Sequence, residues 1–329
     1  MYIVRFSTIF AEIILFFMMQ TVSAQQLKFN KHGDFKIVQF TDLHYAAGAV
    51  PSAKSIKMME STLESEKPDV VIFTGDVVVK APTSKGWDEV LDVVISRNIP
   101  YIVTLGNHDD ESEWSRSQVA DYLSKKPLLI NNRASLQEVD GVLNASIAVM
   151  GNDHKAAFTL YAMDSKAYSQ VDGIKGYDWF GFNQVNWYLK ESAKIEASNG
   201  RVIPALAFFH IPFPEYGIAF DKLANKRIGV RYENEGSPII NSGMYAAMLG
   251  RKDVIGTFVG HDHVNDYLVD YYGIGLAYGC FSGSENTYVR DKNGARIIEL
   301  KEGKKGFYTY IREYDGNILN RTDFPFKKQ

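Results

Sequence analysis

The chain has 329 residues, 46% of them hydrophobic and 23% charged, with a formal net charge of −3. This is ordinary globular composition, long enough to bury a sizeable core in one or two domains. A pI of about 6.2 excludes the strongly basic surface that nucleic acids or anionic membranes require, and a lone cysteine, Cys280, excludes an intrachain disulfide.

Residues 1–24 read as a secretory signal. Arg5 supplies positive charge, Ile13 to Met19 form an apolar core, and Val22-Ser23-Ala24 is a small-residue cleavage site. The run is too short to span a bilayer comfortably, and Glu12 interrupts it; an uncleaved anchor is the competing reading. The mature chain is then expected to be a domain over 27–316 and a tail over 317–329, with Lys327 and Lys328 frayed and Lys301, Lys304 and Lys305 on a solvated turn.

Phe35 to Phe40 is a short strand candidate. Ser52 to Lys67 has helical character, and Pro68 stops it. Asp69 to Thr74 is a β-branched run of buried-strand type. A second helix over about Lys85 to Arg97 leads to Pro100 and the strand Tyr101 to Leu105. This strand–motif–helix alternation predicts a βαβαβ core. Val142 to Met150 and Ala157 to Met163 read as paired strands around a Gly151-Asn152-Asp153 turn. Phe182 to Ala197 is a helix candidate, Pro204 to Phe209 a buried strand, Asn241 to Leu249 a helix and Val254 to Val259 a strand. Strands and glycine-rich turns continue to about Arg312. The whole predicts one domain with two sheets face to face and helices outside.

Five of the seven histidines fall in short motifs that each follow one of these apolar runs: Asp42-Leu43-His44, Gly106-Asn107-His108-Asp109, His210 and Gly260-His261-Asp262-His263, with Gly75-Asp76 completing the set. In open α/β sheets, ligands bind just beyond the carboxyl ends of strands, where these motifs lie. Asp, Asn and His are the side chains that hold two divalent ions about 3.5–4 Å apart for hydrolysis. Asp42 and His44 alternate on a strand end and would face one ion together if the backbone stays extended. Asp76 would bridge two ions, since a carboxylate has two oxygens. Asn107, His210 and His261 would serve the second ion, and His263 would return to the first. His32 and His154 lie outside the motifs and read as surface residues.

The ordered set D-x-H, G-D, G-N-H-D, H, G-H-x-H resembles the calcineurin-like metallophosphoesterase superfamily. Leu160–Ser165, Phe208–Tyr216, Asn241–Gly243 and Gly260–Asp266 resemble the branch that contains plant purple-acid-phosphatase-29-like proteins and fungal dosage-dependent cell-cycle phosphatases. The resemblance covers most of residues 35 to 300. It implies an α/β fold, a four-layer αββα sandwich of two mixed β-sheets flanked by helices, with two divalent metal ions of the manganese, iron or zinc type. His108 would stabilise phosphoryl charge and protonate the leaving oxygen. Asp109 and Asp262 are candidates to orient neighbouring imidazoles. Arg116, Tyr216 and Tyr288 are candidate substrate contacts, with a structural role as the alternative for each.

One departure from true purple acid phosphatases matters. Their G-D-x-x-Y tyrosine, which binds ferric iron, is replaced here by Val79 in Gly75-Asp76-Val77-Val78-Val79, and His44 fills a place those enzymes lack. The expected protein is therefore a colourless, exported metal-dependent phosphoesterase acting on a small phosphorylated substrate, a monoester rather than a diester. The same centre could serve a phosphodiesterase or nucleotide pyrophosphatase, and a metal-holding binding protein without turnover is the reading from another class.

Overall fold

Residues 26–132, 139–223, 226–284 and 293–327 are described by a computed structural model. The first part of the chain builds β1 (Asp34–Phe40), α1 (Ser52–Glu66), β2 (Val70–Thr74), α2 (Thr83–Ile95) and β3 (Tyr101–Thr104). The three strands are parallel and adjacent, as the alternation of apolar runs and helices predicts. α1 stops where Lys67 turns to φ 48 ahead of Pro68 and its N–H donates to the Leu63 carbonyl. A short third helix follows, α3 (Arg116–Leu123). It escapes the periodicity reading because it is polar and only two turns long. Its start is nonetheless written in Ser115-Arg116-Ser117-Gln118, a capping box in which both reciprocal hydrogen bonds are made.

The middle of the chain contributes β4 (Ala145–Met150), β5 (Ala156–Ala162), α4 (Phe182–Asn199), β6 (Ala205–Phe208), α5 (Glu215–Lys222), β7 (Arg227–Ile228), α6 (Met244–Arg251) and β8 (Val254–Val259). The last part adds β9 (Leu268–Tyr271), β10 (Ile274–Tyr278), β11 (Gly294–Lys301), β12 (Phe307–Glu313) and β13 (Ile318–Phe324). Among the described residues, one sheet runs β13-β12-β11-β1-β2-β3 and the other β4-β5-β6-β8-β10-β9-β7.

Ile318–Phe324, inside the expected tail, belong to the sheet. β13 pairs antiparallel with β12, and Phe324 is buried between the sheets. Its strand signal is weak because an edge strand with polar residues on both faces, such as Asn320, Arg321 and Asp323, shows no apolar alternation.

The period of two along each strand decides the layers. In β1, Phe35 and Ile37 point between the sheets while Val38 and Phe40 point to the outer helices. In β6, Leu206 and Phe208 face the other sheet, and Ala205 and Ala207 face α4 to α6. Met58, Leu63, Trp87 and Val90 cover one outer face; Trp187, Tyr188, Met244 and Met248 cover the other. The result is a four-layer αββα sandwich of two mixed sheets. Both sheets direct the carboxyl ends of their parallel strands to one edge. There they are joined by a Gln39 side chain that donates to the Val259 carbonyl at 3.1 Å and to the Thr74 hydroxyl at 2.8 Å.

A buried ion cluster holds α1 to the sheet. The Glu66 carboxylate accepts from Lys36 Nζ at 2.9 Å, from the Tyr310 hydroxyl at 2.7 Å and from Arg312 Nε. Burial raises the Glu66 pKa, but these hydrogen bonds outweigh it and hold the carboxyl below its ordinary range. Its stabilising contribution is therefore complete above the unfolded value near 4.5 and is lost as pH falls through the lower folded value. Glu66→Ala is expected to cost about 2–4 kcal/mol in urea unfolding at pH 7, with the gap to the parent chain closing below about pH 4.5. A gap that is the same at pH 7 and pH 3.5 would contradict this assignment.

Candidate metal centre

All seven candidate ligands lie at the shared edge where the parallel strands end. Asp42 and His44 do not continue β1 in extended form. They adopt φ 54 and φ 44, because the chain leaves the sheet at Phe40 and curls over the Asp76 turn. Asp42 N donates to the Gly75 carbonyl at 3.0 Å, and His44 N to the Asp76 carbonyl at 2.9 Å. This curl, rather than strand alternation, turns both side chains inward. Asp76 is also left-handed, at φ 51, and follows Gly75 at φ +88. A Cβ on Gly75 would sit 2.4 Å from His210 Nδ1, and one on Gly106 would sit 2.1 Å from Asp76 Oδ1. Only glycine permits these approaches.

Two groups of potential ligands result. Asp42, His44, Asp76 and His263 each offer one atom within 4.8 Å of the others, and so do Asp76, His210 and His261. Asp76 belongs to both groups. Its Oδ2 lies 3.6 Å from His44 Nε2 and 3.2 Å from His210 Nε2, while its Oδ1 accepts the His108 backbone N–H at 2.8 Å. His44 Nε2 and His263 Nε2 are 3.1 Å apart. His210 Nδ1 donates to the Thr74 carbonyl at 2.7 Å, which leaves Nε2 as the ring's lone-pair atom facing the site. The Asp42 carboxylate accepts the His261 backbone N–H at 3.0 Å, so the second strand-end motif is built directly onto the first.

The electrostatics call for cations. Asp42 and Asp76 are buried, yet both carboxyls are held below the ordinary range. Burial opposes this, and the neighbouring imidazoles, His263 for Asp42 and His210 for Asp76, overcome it. Burial pulls His261 down to about 3 and His44 to about 4, the neutral state of a ligand. Two polar atoms complete the test of fit. Asn107 Oδ1 is buried and makes no hydrogen bond among the described residues, and His210 Nε2 has the Asp76 carboxylate beside it at 3.2 Å. An uncompensated amide oxygen is costly in a protein interior, and a cation beside it and the imidazole satisfies it. Carboxylate, amide oxygen and imidazole donors in two sets with a shared carboxylate fit a pair of divalent ions.

His108 stands at the rim with its side chain 36% exposed, and its Nδ1 is bonded to the Glu111 carboxylate. Asp109 does not orient an imidazole. Its carboxylate accepts four backbone N–H groups, from Asp76 at 2.9 Å, Val77 at 2.8 Å, Val78 at 3.0 Å and Gly106 at 2.8 Å, and so clamps the two turns that carry Asp76 and Asn107. Asp262 likewise holds no imidazole. It accepts from the Tyr278 hydroxyl and from Gly236 N, and together with Asn265 and Asp266 it anchors the loop over 230–236 across His261. The cause at Asp109 is that a carboxylate at the end of a strand faces several unpaired backbone N–H groups, and these take it first; at Asp262 a buried tyrosine hydroxyl and one loop N–H do the same.

The candidate substrate contacts fare differently. Tyr216 is fully buried, its hydroxyl on Thr257, so it is a core residue and touches no substrate. Arg116 borders a cavity beside Asn107, but its guanidinium is spent on Asp164 at 2.8 Å and on the Leu105 and Gly106 carbonyls at 2.9 and 2.7 Å. It braces the Asn107 turn. Tyr288 lies outside the described residues. Three residues absent from the sequence reading border the site: Glu111, Tyr168 and Tyr177. Tyr168 accepts from Asn107 Nδ2 at 3.1 Å, and Tyr177 meets the His261 ring edge-on at 4.4 Å between centroids. Glu111 stands three residues after His108, a spacing that carries a signal; the tyrosines arrive on the distant loop over 164–178 and have none.

Comparison with known proteins bears on the same residues. A family model for calcineurin-like phosphoesterases matches residues 35–265. "Probable inactive purple acid phosphatase 29" of Arabidopsis thaliana is 32% identical over 89% of this chain and 84% of its own length. "Phosphatase DCR2" of Saccharomyces cerevisiae is 31% identical over 88% of this chain and 55% of its own. Among solved structures, a dimetal phosphatase from Danio rerio superposes with a TM-score of 0.63 at 12% identity, covering 89% of this chain and 99% of that one, a likeness of fold. The matched span contains every strand-end motif from Asp42 to His263, and the chain belongs to the calcineurin-like phosphoesterase family.

Proposed function

We propose that this chain is an exported phosphomonoesterase that holds two divalent ions, one on Asp42, His44, Asp76 and His263 and the other on Asp76, Asn107, His210 and His261. The observation that carries the reading is the pair of ligand groups meeting at Asp76, with Asn107 Oδ1 otherwise unsatisfied. When bound, such ions supply Lewis acidity, lowering the pKa of water and neutralising phosphoryl oxygens. The donor types favour manganese, iron or zinc. With Val79 in place of a tyrosine, no tyrosinate–iron colour is expected.

The chain's own groups do the remaining work. His108 is tethered at Nδ1 by Glu111, so its Nε2 is the ring atom left to hold a proton for the leaving oxygen. The clamp of Asp109 on four N–H groups keeps the Asp76 and Asn107 turns fixed, so little reorganisation accompanies catalysis. A cavity of about 420 Å³ opens beside Asn107, with Lys166 and Tyr168 in its wall. It has room for the organic group of a phosphate ester. Export rests on the signal pattern of residues 1–24, which lie outside the described residues; no helix among the described residues is long and apolar enough to cross a membrane.

A second reading has one observation in its favour: the word "inactive" in the names of three Arabidopsis relatives. It would make the chain a metal-holding protein without turnover. The presence of His108 at the rim beside an intact ligand set favours catalysis. Metal-stripped protein resupplied with manganese, iron or zinc is expected to hydrolyse p-nitrophenyl phosphate, at least about tenfold faster than bis-p-nitrophenyl phosphate, and to be inert before resupply. Two bound ions without turnover on either ester would favour the second reading; a faster diester would reverse the substrate assignment.

A further inference from the structure

Asn107 can serve a cation only through Oδ1, because Nδ2 carries protons and offers no lone pair. The two ends of an amide are nearly the same size, so packing alone does not choose which one faces the ion. The choice is made by hydrogen-bond direction. Asn107 Nδ2 donates to the Tyr168 hydroxyl at 3.1 Å. Asn107 Oδ1, the other end of the amide, is buried and makes no hydrogen bond among the described residues. With Nδ2 held on the Tyr168 hydroxyl, Oδ1 is the end left to face a cation.

We infer that Tyr168 is a positioning residue: its hydroxyl, by holding Asn107 Nδ2, keeps Asn107 Oδ1 turned to the His210 and His261 ion. This inference rests on the dinuclear reading above. The geometry makes it selective. Tyr168 stacks on Tyr177 at 5.6 Å with ring planes 24° apart, and Tyr177 meets His261. The loop over 164–178 thus touches two members of one ligand group, Asn107 and His261. Asp164 secures this loop, accepting from Lys166 N at 2.8 Å and binding Arg116, which braces the Asn107 turn from the other side.

The test is a manganese titration of the full chain, read as ions bound per chain by equilibrium dialysis and mass spectrometry, beside the thermal midpoint of the metal-free protein. Tyr168→Phe keeps the ring and its stacking and removes the hydroxyl. It is expected to weaken one ion by about 10–100-fold, leave the other unchanged and leave the metal-free midpoint within a degree or two. In an Asn107→Asp background, Tyr168→Phe is expected to change neither ion, since a carboxylate has no wrong end. Tyr168→Phe that binds both ions like the parent chain overturns the inference. So does a loss spread equally over both ions with a lowered midpoint, which marks a general structural role. A parent chain that binds no second ion would instead overturn the dinuclear reading itself.

Discussion

Replacing Asp76 by alanine is expected to remove both metal ions and lower kcat/KM by about 10⁴-fold or more. The reason is position. Asp76 is the one residue common to the two ligand groups, with Oδ2 within 3.6 Å of His44 Nε2 and 3.2 Å of His210 Nε2. It is also the carboxylate that sets the charge state of its neighbours. With no cation present, burial lowers the His210 pKa, but the Asp76 charge overrides it and lifts the ring to about 9. Removing that carboxylate leaves the imidazoles without the negative charge that draws a second cation into a buried site. The substitution also takes away the acceptor for the His108 backbone N–H. Asp76→Asn, which keeps the shape, separates loss of charge from loss of fold: its metal-free unfolding is expected to stay cooperative while metal content falls. An Asp76→Ala protein that retains two ions would refute the shared-ligand assignment.

The second large effect is expected at His108. His108→Ala should keep two ions per chain and lose about 10²–10⁴-fold in kcat. The side chain is 36% exposed and lies outside both ligand groups, meeting His44 ring to ring at 5.3 Å between centroids, so its removal takes away no ligand atom. The backbone N–H that bonds Asp76 Oδ1 survives in alanine. If the ring's task is to protonate the leaving oxygen, the loss must depend on the leaving group. It should be smallest for p-nitrophenyl phosphate, whose phenolate departs without help, and largest for an alkyl phosphate, whose alkoxide does not. Equal losses on the two esters would assign His108 to phosphoryl charge alone, and undiminished turnover of the alkyl ester would remove it from the chemistry.

Much of the centre was legible before any coordinates because each motif is local. An apolar β-branched run such as Val70–Thr74 predicts a buried strand, and the residues just past its end, Gly75 and Asp76, fall where parallel strands open onto a site. The same logic reaches Asp42, Asn107, His210, His261 and His263. It fails at second contacts. Asp109 and Asp262 read as imidazole partners because they flank histidines, but Asp109 is taken by the backbone N–H groups of Gly106 and of Asp76 to Val78, and Asp262 by the Tyr278 hydroxyl and Gly236 N. Tyr216 reads as a polar residue near a motif, whereas α5 places it against β8 and β10 with its hydroxyl on Thr257. The extended geometry expected at Asp42 and His44 gave way to left-handed turns, because the chain leaves the sheet after Phe40 and its N–H groups bond to the Gly75 and Asp76 carbonyls of the neighbouring turn.

The division between sequence and structure follows the range of the forces involved. Patterning over five to fifteen residues specifies strands, helices and the residue types delivered at strand ends, so the chain by itself determined the family resemblance, the four-layer fold and the candidate ligands. Three features depend on which loops meet across the sheets, and only the tertiary structure decided them: the bracing of Arg116 by Asp164, the cover over His261, and the hydrogen bond of Asn107 to Tyr168. These are hydrogen bonds between segments 26 to 61 residues apart, each short-ranged and directional, and no local pattern records where such a partner will arrive.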